Sequence, residues 1–278
     1  MGAATAGASS GRASGSALAS AAGARGRAGA LRARAGSASA TLALIAALLV
    51  VWSGERVFIG QIHGGRVLGY LAFGALLNGT VAGRGSPDQW WRYVTSALVH
   101  DRTAPLHLAV NIAALALVGP RVERLYGKLV FVAGFALAAA AGGVTWMAWS
   151  ALGFVPLDDY TAGASVGVCG LLGVLLVYGY RTHPGTERAA AQAIKTQAAL
   201  GIGVITLLGL IIPTLNNAAH LGGLLCGLAV GTWLPPLATA GGRPLRGREH
   251  LVLWGVVLAS AVALGMAGQN LAHRILAQ

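Results

Sequence analysis

Long apolar runs separated by short polar breaks dominate the chain from residue 38 onward. Seven of them, at about 38–53, 104–119, 129–153, 163–180, 197–212, 217–234 and 251–268, carry almost no charge. Each approaches or reaches the ~17–25 apolar residues that a helix needs to cross a bilayer. The pattern predicts an all-α polytopic membrane helical bundle of seven spans. An eighth stretch, 67–83, is uncharged but interrupted by glycines and Asn78, with Arg66 and Arg84 on either side. It reads either as a span or as a segment in the membrane interface, where Trp90 and Trp91 would suit an aromatic belt. Before residue 38 the chain is rich in Ala, Gly, Ser and Arg without an acidic residue, which cannot build a core and predicts a disordered basic tail over 1–37.

Composition agrees with the pattern. Of the 278 residues 55% are hydrophobic and 10% charged, whereas soluble domains carry about a quarter of their residues as charges. The net charge of +12 does not imply nucleic acid, because the bases are distributed by loop rather than gathered on one face. With the N-terminus in the cytoplasm and seven spans, the cytoplasmic loops hold Arg121, Arg124 and Lys128, then Arg181, Arg188 and Lys195, then Arg243, Arg246 and Arg248. The opposite short loops hold Asp158 and Asp159, or only Pro213 to Asn216. That is the positive-inside arrangement. Counting 67–83 as a span would invert it, so this stretch is expected to lie on the outer face within a loop over 54–103. The five arginines against three acids in that loop are a contrary signal. The expected location is the plasma membrane of a bacterium, with an organellar membrane as the alternative if the tail is a transit peptide. Cys169 and Cys226 sit inside apolar runs and are expected to pack rather than to pair.

The acidic residues narrow the chemistry. All eight fall in loops or at span edges. There is no pair of buried aspartates for an aspartyl protease, no His-Glu-x-x-His helix for zinc, no phosphate loop and no buried carboxylate for proton-coupled transport. No metal or cofactor is implied. The strongly polar groups left inside the spans are Ser165, His220, His107 and Asn111, all near the outer ends of three spans that run in the same direction. His107 and Asn111 are four residues apart and share a helix face. A neutral histidine can take the proton of a serine hydroxyl near pH 7. Backbone amides at the start of the helix that opens at Gly163, an asparagine amide and a histidine N–H are suitable oxyanion donors. A lone serine in a glycine-rich span is usually a packing residue, and His107 with Asn111 could be a simple hydrogen-bonding pair. The joint occurrence at one depth outweighs these readings. His63, His100, His183, His250 and His273 lie outside the spans and are expected to be solvated.

These residues resemble the rhomboid family of intramembrane serine proteases. The resemblance runs from about Trp90 to Leu234 and comprises His107-x-x-x-Asn111, Glu123-Arg124-x-x-Gly127, Gly163-Ala164-Ser165 and Ala219-His220-x-x-Gly223-x-x-x-Gly227. It implies a six-span rhomboid-like core over 38–236, a cytoplasmic basic loop over 237–248 and a seventh transmembrane helix with the C-terminus over 249–278. It implies Ser165 as nucleophile, His220 as general base, and His107, Asn111 and the Gly163 end of the helix at the oxyanion. Gly223 and Gly227 would let the two catalytic helices pack closely, and Glu123 with Arg124 would brace the cytoplasmic end of the second span. The partners implied are transmembrane protein substrates and the lipid bilayer, with the outer loop and the fifth span as the gate. Two positions depart from the family pattern. Val166 replaces the usual glycine after the serine, and Cys169 replaces the usual aromatic residue one turn below it. A catalytically weak or inactive relative that binds client helices is therefore the competing reading.

Overall fold

A computed structural model describes residues 38–59, 65–78, 80–81, 84–85, 89–154, 159–181, 183, 185, 187–212, 215–237 and 243–276. The expectations for the 1–37 tail, His63, Asp158 and Pro213 fall outside those residues. The described elements are α1 (Ser39–Phe58), α2 (Gly65–Phe73), β1 (Leu76–Leu77), β2 (Thr80–Val81), β3 (Arg84–Gly85), α3 (Arg92–Thr95), α4 (Pro105–Tyr126), α5 (Lys128–Ala151), β4 (Tyr160–Thr161), α6 (Ser165–Tyr180), α7 (Glu187–Ile211), α8 (Asn217–Trp233) and α9 (Gly247–Leu276). Five of these, α1, α4, α5, α7 and α9, are long and apolar enough to cross a bilayer. α6 is apolar but only 16 residues long, or about 24 Å at the helical rise.

α6 is hydrophobic on every side, and a helix without a polar face belongs in the middle of a bundle. It packs against α4, α5, α7 and α8, with Val168, Leu171, Leu172 and Leu175 fully enclosed among Leu108, Leu115, Phe131 and Phe135. Its contact with α8 is made by backbone. A Cβ on Gly227 would fall inside the carbonyl of Gly170, and one on Gly173 would lie 2.8 Å from the Leu224 oxygen. Small residues of this kind are what allow helices in lipid to approach. α5 joins the same seam: a Cβ on Gly142 would meet the Val166 side chain and stand 2.6 Å from the Ala219 oxygen.

Buried carboxylates tie the outer helices to this centre. Glu123, near the end of α4, accepts from the Thr41 amide at 2.6 Å, the Thr41 hydroxyl at 2.5 Å and the Ala40 amide at 3.2 Å. It thus satisfies the exposed amides of α1's first turn, which have no partner within the helix. Arg124 donates instead to the Pro120 carbonyl of its own helix. α9 lies against α5, α2 and α3.

Among the described residues the 67–83 stretch forms no span. α2 is a nine-residue helix, and the chain then turns into β1, which pairs with β4 in the register Leu76↔Thr161 and Leu77↔Tyr160. The helices also outrun the apolar runs that announced them: α1 continues to Phe58, α4 to Tyr126, and α7 starts at Glu187. Apolarity marks the lipid-facing length, whereas helix ends are set by backbone hydrogen bonding. Arg188 and Lys195 can ride on a helix that extends past the hydrocarbon.

Candidate active site

Ser165 is the first residue of α6 and His220 stands in the first turn of α8. The approach to each is fixed locally. Gly163 adopts φ of +129°, a backbone state closed to most side chains, and so turns the chain from β4 into α6. α8 is capped by Asn216, whose Oδ1 accepts from the Ala219 amide at 3.0 Å while its Nδ2 donates to Thr161 Oγ1 at 3.1 Å. The seam between α6 and α8 does the rest: Ser165 Oγ lies 2.8 Å from His220 Nε2.

With the ring proton on Nδ1, Nε2 accepts from the serine hydroxyl, the geometry required of a general base. Nδ1 itself is buried and has no partner among the described residues. Among the described residues no carboxylate orients the ring, so the geometry is that of a two-residue pair. His220 makes no ring contact among the described residues, and the position one turn below the serine holds the buried Cys169.

His107 comes to the same place. A methyl group at Gly163 would lie 3.1 Å from His107 Cε1, 3.3 Å from its Nε2 and 3.8 Å from Ser165 Oγ, so imidazole and hydroxyl flank one glycine. Asn111 is buried one turn along α4, with its Nδ2 donating to the His107 carbonyl at 2.9 Å. Gly163 itself does not supply the donor expected of it. Its N–H is committed to the Ser96 carbonyl at 3.0 Å, and the Ala164 N–H points to His100 Nε2 at 3.3 Å. The amides of Ser165, Val166 and Gly167 are the first on α6 without an acceptor among the described residues.

Val166 explains itself through its neighbours. Its Cγ1 would collide with a Cβ on Gly142 and stand 3.0 Å from one on Gly223, so two glycines on α5 and α8 make room for the branched side chain. It also lines a small cavity beside the dyad together with Ser96, Ala139, Gly163 and Ala219.

The structure corrects a second expectation. His100, expected to be solvated, is fully buried beside the site. Burial, reinforced by the neighbouring His107, pulls its pKa down to about 4. The loop that carries it folds inward under Glu55 of α1, whose carboxylate accepts from the His100 amide at 3.1 Å. The apolar run Ala97-Leu98-Val99 just before it is the signal that could have revealed this. Arg92 was missed as well. It is 2% exposed, donates to the Leu71 and Ala75 carbonyls at 2.6 and 2.9 Å, and lies over the Trp91 ring. A buried guanidinium that satisfies these carbonyls holds the 71–75 segment in shape.

The match to known proteins coincides with this site: residues 87–236, from before α3 to after α8, match the Rhomboid domain family. The chain belongs to the rhomboid family. Among its relatives, rhomboid protease GluP of Bacillus subtilis (strain 168) is 32% identical over 210 residues, covering 75% of this chain and 37% of that protein. Rhomboid-type serine protease 2 of Emericella nidulans is 29% identical over 165 residues, covering 55% of this chain and 28% of that protein. Rhomboid protease AarA of Providencia stuartii is 24% identical over 211 residues, covering 70% and 72%. The chain thus spans well under half the length of the first two relatives. Rhomboid membership and five helices fit to cross a bilayer make this an integral, multi-pass membrane protein.

Proposed function

We propose that this rhomboid-family protein is an intramembrane serine endopeptidase that cleaves transmembrane segments of membrane proteins with a Ser165–His220 dyad. The observation that carries this reading is the 2.8 Å contact between Ser165 Oγ and His220 Nε2. Ser165 Oγ attacks the scissile carbonyl while His220 Nε2 takes its proton. The oxyanion draws on the free amide of Ser165 and on His107, with Asn111 available once its amide leaves the His107 carbonyl. His220 then returns the proton to the leaving amine, and water repeats the cycle on the acyl-enzyme.

The chain is read as a seven-span protein, six in the core over 38–236 and one in 249–278, joined by the basic loop 237–248. The N-terminus is placed in the cytoplasm of a bacterial plasma membrane because the basic loops fall on that side. The site then lies near the outer face, and substrates need helices that unwind there, where small or helix-weakening residues help. The test is a fluorophosphonate probe together with cleavage of a reporter span in membranes. Wild type should label and cleave, and Ser165→Ala should do neither. Full biological effect with Ser165→Ala would instead mark a protein that binds client helices without cutting them.

A further inference from the structure

We propose that His100 is a positioning residue for the Ser165 nucleophile, held in place by α1 through Glu55. This rests on the serine protease reading above and assigns the job of aiming the nucleophile to a loop outside both catalytic helices.

The ring of His100 is fixed by two partners of opposite kind. Nδ1 lies 3.2 Å from the Leu98 carbonyl, which can only accept, and Nε2 lies 3.3 Å from the Ala164 amide, which can only donate. Only the neutral tautomer protonated on Nδ1 satisfies both. Ala164 is the residue directly before Ser165. One residue earlier, the Gly163 amide is held at 3.0 Å by the Ser96 carbonyl. The 96–100 segment therefore grips two successive amides at the entry to α6. Both are withdrawn from the reacting carbonyl, and the first free donor becomes that of the nucleophile itself.

The loop is gripped in turn by the end of α1. Glu55, fully buried, receives the His100 amide on both oxygens at 3.1 and 3.3 Å. Trp52 Nε1 reaches the Asp101 carbonyl at 3.4 Å, and Arg56 Nη1 reaches the Arg102 carbonyl at 3.0 Å. Three side chains from the last two turns of α1 thus hold three consecutive residues of the loop. Tyr70 of α2 adds a bond to Asp101 Oδ1 at 2.8 Å and receives the Arg102 amide at 3.0 Å. The path runs from Glu55 through His100 and Ala164 to Ser165, with no exposed residue between Glu55 and Ala164. The titratable groups facing His100 are Glu55, Asp101 and His107, the last with its ring centroid 5.3 Å away.

The substitution pair His100→Leu and His100→Gln tests this in the full chain in detergent or liposomes. A glutamine amide oxygen reaches where Nε2 lies and can accept from Ala164; leucine fills space without accepting. Because a displacement of about 1 Å at a nucleophile costs on the order of 100-fold, His100→Leu should lower the probe-labelling rate and kcat by about that factor. KM should stay within about twofold, since substrate binding is untouched. His100→Gln should recover most of the loss at an equal melting temperature. Should the leucine variant fail to fold, His100→Asn, whose amide reaches only the Nδ1 position, takes its place. A leucine variant that labels at the wild-type rate overturns the inference. So does a glutamine variant that is no better than leucine while activity follows melting temperature. Folded wild type that labels at no serine sinks the protease reading and this inference with it, whereas labelled wild type beside an indifferent His100→Leu sinks this inference alone.

Discussion

α8 and α7 both flank α6, yet they meet it in different ways. Along α8 the contact is backbone on backbone, with Gly170 and Gly173 facing Gly227 and Leu224 at separations no Cβ could share. Along α7 the backbones come that close at one end, where a Cβ on Gly179 would lie 2.9 Å from Lys195 Cα and 3.0 Å from the Ala191 oxygen. Toward the Ser165 end the contact passes to side chains, with Ala198 buried and Gly201 facing the flexible tip of Leu172. Only 6% of α7's most apolar stretch is buried, against 61% for α5. The difference separates two tasks. A hydrogen bond between side chains on two helices needs a fixed distance, which backbone contact enforces because it has no rotamers to relax. A neighbour held mainly by side chains at the Ser165 end can shift at little cost, which supports the proposal that a substrate helix enters past α7 and not past α8.

Substitutions can break or sharpen that contrast. Gly227→Ala should be the most damaging, because the added carbon overlaps the Gly170 carbonyl and only separation of the helices relieves it. We expect a loss of about 3 kcal/mol in detergent unfolding, at the upper end for overpacked cores, together with loss of probe labelling as Ser165 and His220 part. Gly142→Ala should cost less, about 1–2 kcal/mol, since Val166 can rotate away although the Ala219 carbonyl cannot. On the other side, Gly201→Ala presses only on Leu172 side-chain carbons at 3.2 Å, and Gly203 has open space around it. Both should stay within about 0.5 kcal/mol of wild type by thermal unfolding. Equal losses on the two faces would remove the distinction.

The Ser165 end of the bundle offers a polar version of the same contrast, read by pH. His100 is held neutral, its pKa moved from 6.5 to about 4 by burial, whereas the unfolded chain takes up a proton near 6.5. Between those values the unfolded state binds the extra proton, so stability is complete above about pH 6.5 and declines as pH falls toward 4. Melting temperature measured across that window should fall accordingly, and His100→Gln should flatten part of the slope. A flat wild-type profile would show that the ring is not confined as described.

Much of this was legible in the chain before any coordinates. Apolar runs located the lipid-crossing helices because hydrocarbon tolerates few charges, and the rarity of polar groups within them singled out Ser165, His220, His107 and Asn111. What sequence could not convey was backbone chemistry. Ser96 contributes a carbonyl, which every residue has, and Gly163 an amide already occupied by it. Glu55 stood at the end of an apolar run beside Arg56 and read as a boundary charge, whereas it is a buried acceptor for a loop 45 residues away. Such partners leave no periodicity. Glu123 was half legible: its bracing role followed from the resemblance, but its partners in the first turn of α1 did not.

α9 carries a last implication. Its 30 residues amount to about 45 Å, well beyond the ~30 Å of hydrocarbon, so its final turns stand clear of the acyl chains like a mast above a deck. Near its top, Asn270 Nδ2 ties to the Leu71 and Ala72 carbonyls at 3.3 and 3.0 Å, beside the Arg92 that also holds Leu71. α9 thereby moors the turn that follows α2, and shortening it by its last two turns would cut that mooring.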